Sequence, residues 1–126
     1  MTLVLDAGAL IALEKGDRPM WRRYKGALLA ADVPRSHGGV VGQAWRQGGA
    51  RQALLARALQ GIEVRPLDER MGRDAGALLA RTRRSDVIDA AIVLLAEDGD
   101  VLVTSDAGDL EPLANALGRD VDIVEV

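Results

Sequence analysis

The stretch Leu3-Val4-Leu5-Asp6-Ala7-Gly8-Ala9-Leu10-Ile11-Ala12-Leu13 decides how the rest of the chain reads. Three aliphatic residues are enough for a short buried strand. The run ends at Asp6, and Ala7 to Leu13 is too apolar for a loop and stops near Gly16. A strand feeding straight into a helix, with an acid at the junction, is the opening of a βα crossover.

Working outward, the alternation continues. Arg18 to Ala31 predicts a second helix with Met20, Trp21, Tyr24, Leu28 and Leu29 on one face, and Val33-Pro34 begins a short edge strand or turn. Gly38-Gly39 punctuates the chain and places His37 in a loop. Val40 to Gln47 and Ala50 to Leu59 form a helical pair parted by Gly48-Gly49, with Trp45 on an apolar face. Ile62 to Leu67 alternates as a strand, and Asp68 to Arg84 is helical. Val87 to Ala96 is apolar on every side except at Asp89. Val101-Leu102-Val103 is a strand ending in Thr104-Ser105-Asp106, followed by a helix from Leu110 to Leu117 and the closing segment Val121 to Val126. The expected fold is α/β, a three-layer α/β/α sandwich around a mainly parallel sheet of four or five strands, forming one domain over residues 1–126. In such sheets ligands sit beyond the carboxyl ends of the strands, where the strand order reverses.

Composition narrows the chemistry. The chain has 126 residues, 48% apolar and 28% charged, enough for one core. It has no cysteine and one histidine, which removes thiolate ligands, thiol nucleophiles and imidazole pairs. Chemistry is left to carboxylates and hydroxyls. The longest uncharged stretch, Ser36 to Trp45, is far short of the roughly 18 residues that span a bilayer. With no basic leader at Met1 to Asp6, a cytoplasmic location without membrane contact is expected. The net charge of −3 divides unevenly: residues 1–84 carry 15 Lys/Arg against 8 Asp/Glu, and residues 85–126 carry 1 against 11. Arginine, which outnumbers lysine 14 to 2, is the better fork for phosphate.

Four aspartates stand out. Asp6, Asp86 and Asp106 each precede helical pattern and have a plain reading as N-caps. Asp89 does not, because Ile92, Val93 and Ala96 share its helix face and a lone carboxylate there is costly. Arg83 and Arg84, just upstream, could pair with it. Asp86-x-x-Asp89 also sets two carboxylates one turn apart on the same side, and a divalent cation relieves their repulsion. With only oxygen ligands on offer, Mg²⁺ or Mn²⁺ is preferred to zinc, and phosphate is the natural substrate group.

Leu5-Asp6-Ala7-Gly8-Ala9-Leu10, Val41-Gly42-Gln43-Ala44-Trp45-Arg46, Asp86-Val87-Ile88-Asp89-Ala90-Ala91-Ile92 and Val103-Thr104-Ser105-Asp106 together resemble the PIN domains, particularly the VapC-type toxin ribonucleases of toxin–antitoxin pairs. The resemblance spans nearly the whole chain. It implies a metal-dependent endoribonuclease with Asp6, Asp89 and Asp106 as catalytic acids binding Mg²⁺ or Mn²⁺, and Asp86 as a further ligand or supporting acid. It also implies an RNA substrate, a cognate antitoxin and a homodimer. Thr104 keeps the hydroxyl expected beside the last acid. Two positions depart from the pattern: Gln43 stands where the family usually has Glu, and Gly8 where many members have Ser or Thr. Asp109 and Glu14 are conceivable substitutes for the missing acid. Arg46, Arg83 and Arg84 are candidate grips on RNA phosphates, with ordinary surface charge as the alternative. Loss of the Glu leaves a second reading open, a PIN-like RNA- or protein-binding module with weakened or absent cleavage.

Overall fold

A computed structural model describes residues 1–126. Its elements are β1 (Leu3–Leu5), α1 (Ala7–Glu14), α2 (Arg18–Leu29), β2 (Arg35–His37), α3 (Gly38–Ala44), a 3-10 turn (Ala50–Gln52), α4 (Ala53–Leu59), β3 (Glu63–Arg65), α5 (Glu69–Thr82), α6 (Val87–Leu95), β4 (Val101–Thr104), α7 (Ala107–Leu117) and β5 (Asp122–Glu125). The five strands form one all-parallel sheet in the order β3-β2-β1-β4-β5. β1 and β4 are its middle, paired Leu3 with Val101 and Leu5 with Val103. Every residue of both is buried, which is why they read as unbroken aliphatic runs rather than alternating ones.

Two helical groups cover the sheet. From β1 the chain steps outward through β2 to β3, and α1, α3 and α4 pack together on that path. It then crosses back to β4 and on to β5, and α5, α6 and α7 pack against one another. Right-handed crossovers in opposite directions put these groups on opposite faces, giving the three-layer sandwich. A single cluster of buried aliphatics runs through both layers, with Tyr24 its one buried aromatic. No helix is long and apolar enough to cross a membrane.

The structure corrects the sequence reading around β2. The strand is Arg35-Ser36-His37, not Val33-Pro34, and it lies inside the sheet between β1 and β3 rather than at an edge. It has no aliphatic residue to mark it. Its buried polar groups are instead satisfied within the fold: Ser36 Oγ donates to the Leu5 carbonyl at 2.8 Å, and both ring nitrogens of His37 are engaged. His37 is therefore a core residue with no exposed surface, not a loop residue. α7 also begins earlier than expected, at Ala107, whose N–H donates to the Glu125 carboxylate at 3.3 Å.

Candidate active site

The strand order reverses between β1 and β4, and their carboxyl ends carry Asp6 and Thr104 through Asp106. Thr104 Oγ1 donates to Asp6 Oδ2 at 2.9 Å and accepts from the Asp106 N–H at 3.0 Å. One buried hydroxyl thus links two acids from opposite ends of the chain. Close approach of the backbone completes the junction. A Cβ on Gly8 would lie 2.5 Å from Ser105 Oγ and 2.6 Å from the Ser105 nitrogen, so the first turn of α1 fits against the β4–α7 turn only with glycine there. Ser105 fills the space that a side chain at position 8 would need.

The three helix-preceding aspartates are used differently. Asp86 is a true cap, its Oδ1 accepting from the N–H groups of Ile88 at 2.9 Å and Asp89 at 3.1 Å. Asp6 and Asp106 occupy the equivalent positions before α1 and α7 yet make no side-chain cap bond. Asp6 is 7% exposed, and its Oδ1 is buried without any partner. A buried carboxylate oxygen left bare costs free energy unless something positive meets it.

Asp89 is half-buried on the first turn of α6, and its carboxyl is pushed up to about 6. Burial is the largest cause, followed by the negative charges of Asp86, Asp6, Asp109 and Asp106. Five acids from three separate segments therefore share one field. Asp109 belongs to the group too: its carboxyl is raised above the usual range first by a hydrogen bond with Asp106 and then by that residue's charge. Asp86, Asp89 and Asp109 line a cleft of about 390 Å³ with Arg83 and Arg84. Arg84 Nη1 reaches Asp109 Oδ1 at 3.6 Å, so its partner is Asp109 rather than Asp89. Arg83 ends α5 in the left-handed conformation, with φ at 57°.

His37 adjoins the acids from beneath. Its Nδ1 accepts from the Gly39 N–H at 3.0 Å, so in the neutral ring the proton sits on Nε2 and is donated to the Ile88 carbonyl at 3.1 Å. Burial lowers its pKa, opposed by the Ile88 bond and by the charge of Asp6. The ring holds α6 one residue before Asp89. Sequence reasoning missed this role because the neighbouring glycines read as a break.

Gln43 is exposed on α3 and makes no side-chain hydrogen bond. Glu14, at the far end of α1, accepts from the Gln52 amide and has no place among these acids. Gln52 is buried and also unforeseen: it donates to the Ala44 carbonyl and accepts from the N–H groups of Arg46 and Gly48, clamping the loop after α3. Arg46 bends back onto the carbonyls of Gly42 and Trp45, closing the end of α3.

In donor chemistry the acids fit a hard divalent cation: all are oxygens, they repel one another, and Asp6 Oδ1 lacks a partner. As they stand, no three His, Cys, Asp or Glu side chains are drawn tightly enough together to hold an ion. Asp106 is turned to Asp109, and Asp86 is spent on its cap. No family model matches the chain, and no curated protein matches it either.

Proposed function

We propose that this chain is a Mg²⁺- or Mn²⁺-dependent endoribonuclease of the PIN type, the toxin of a toxin–antitoxin pair. The observation that carries the reading is the shared field of Asp6, Asp86, Asp89, Asp106 and Asp109 at the switch point of the sheet, with one buried oxygen of Asp6 unpartnered. Asp6, Asp89 and Asp106 would hold the cation, once Asp106 releases Asp109, and Asp86 would support them. Bound there, it would lower the pKa of a water and stabilise charge on the phosphodiester. Thr104 fixes the Asp6 carboxylate by donating to Oδ2, which leaves Oδ1 for the ion. A bound cation would offset the burial and mutual repulsion that push the Asp89 carboxyl up in the ion-free chain, so Asp89 would serve there as a carboxylate ligand. The resemblance that suggests RNA also suggests a cognate antitoxin and a homodimer.

A second reading has its own support: a PIN-like module that binds RNA or protein without cutting it. Gln43 offers no charge, and the Arg84–Asp109 pair already offsets part of the acidic cluster.

Purified protein incubated with a panel of RNAs and Mg²⁺ or Mn²⁺ should yield products that vanish with chelator and in Asp6→Asn. No metal-dependent products from the wild type would end the nuclease reading. Activity confined to Gln43→Glu would establish the binding module instead.

A further inference from the structure

Away from the acids, α2 and α4 border a cleft of about 550 Å³, room for roughly eighteen waters at about 30 Å³ each. Arg18, Arg22 and Lys25 of α2 and Arg57 of α4 line it with Trp21 and Leu54. Residues 18, 22 and 25 are spaced by four and three, so they stand in a row on one face of α2. All four cations are exposed, and none takes part in an ion pair. The acids nearest in sequence are already engaged: Asp17 caps α2 through the Met20 N–H, and Glu14 is held by Gln52. The chain therefore keeps four positive charges together on a concave surface with no carboxylate in salt-bridge contact with any of them.

We propose that this cleft is a binding track for the phosphate backbone of RNA, separate from the aspartate site and reading charge rather than sequence. The choice of RNA rests on the function proposed above; the anionic character of the occupant rests on the four cations alone. A row of guanidinium forks suits repeated phosphates, and the cleft is too large for a single ion. Base stacking has little to work with. The Trp21 indole donates its N–H to the Leu13 carbonyl at 2.9 Å, its ring meets Tyr24 edge-on with centroids 5.2 Å apart, and the Lys25 ammonium lies over it at 5.9 Å. Sequence-independent affinity is the consequence. The cleft begins just past the end of α1, whose eight residues span about 12 Å from the Asp6 end.

The test is fluorescence anisotropy with labelled oligo-uridylate and oligo-adenylate in chelator, where metal-dependent cleavage is silent. Wild type should bind both alike, with an affinity that falls as salt rises, each engaged phosphate contributing about 0.7 to the log–log slope. Arg22→Glu and Arg57→Glu should each weaken binding about tenfold and flatten that slope. Arg23→Glu makes the same charge change on the same helix outside the cleft and should weaken it less than threefold. Equal losses in all three variants would overturn the track, as would absence of binding at 20 mM salt. Poly-glutamate competing as well as RNA of equal charge would also overturn it, in favour of an acidic protein partner. Binding without cleavage would count against the nuclease and leave the track standing; cleavage without these losses would do the reverse.

Discussion

The starts of α6 and α1 carry the same residue in the same position and use it differently. Asp86 spends its carboxylate on two N–H groups of its own helix, whereas Asp6 makes no such bond and turns instead to Thr104, nearly a hundred residues away. Asp106, before α7, follows Asp6 in making no side-chain cap bond to its helix. A cap position held by an uncapping aspartate is a carboxylate kept for another purpose, and sequence cannot distinguish the two. Only the hydrogen bonds do.

The largest effect expected from this contrast is on activity. Asp6→Asn should reduce metal-dependent RNA cleavage at least a hundredfold, about 2.7 kcal/mol of transition-state stabilisation, while shifting the melting temperature by little. The amide oxygen can still accept from Thr104, and no cap is lost. A large drop in melting temperature would show Asp6 to be structural after all. Gly8→Ser should be next, destabilising by about 1–3 kcal/mol and disturbing the Asp106 turn, because its Cβ meets the Ser105 backbone. Denaturant unfolding at equilibrium checks this.

Asp86 should behave oppositely to Asp6. Asp86→Ala should cost about 1 kcal/mol of stability, read as a fall of roughly 3–5 °C on melting, and Asp86→Asn should restore most of it by keeping the cap acceptor. The smallest effect concerns pH. Because the folded Asp89 carboxyl titrates at about 6 rather than near the ordinary value, the native state holds a proton that the unfolded chain has lost between those points. Metal-free stability should therefore fall as pH rises from about 4 to about 6 and level off above. After allowing for partial exposure the drop should be roughly 1 kcal/mol. Comparing wild type with Asp89→Asn isolates this from His37, whose lowered pKa acts in the other direction. Saturating Mg²⁺ should abolish the difference in slope; an unchanged slope would argue against an ion at Asp89.

The architecture was legible where burial demanded aliphatic runs. β1 and β4 announce themselves as Leu-Val-Leu and Val-Leu-Val, and both place acids at their carboxyl ends. β2 was not, since Arg-Ser-His satisfies its buried groups through side-chain bonds that leave no hydrophobic pattern. The acids were legible as a set, but their division of labour was not: nothing in the spacing separates Asp86 as cap from Asp6 as reserve. The link of Asp109 to Asp106 left no mark in the sequence, because it depends on how α7 starts, three residues before its apolar pattern does. Gln52 left no signal at all, as a polar residue in the first turn of the helix expected from Ala50 reads as surface.

The Thr104–Asp6 bond also has a consequence in time. The centre of the sheet pairs the first strand with the fourth, so a chain leaving the ribosome holds β1 without the neighbour that completes its carboxyl end until β4 has been made. The junction that joins Asp6 to Thr104 would stay open in a nascent chain until β4 had emerged.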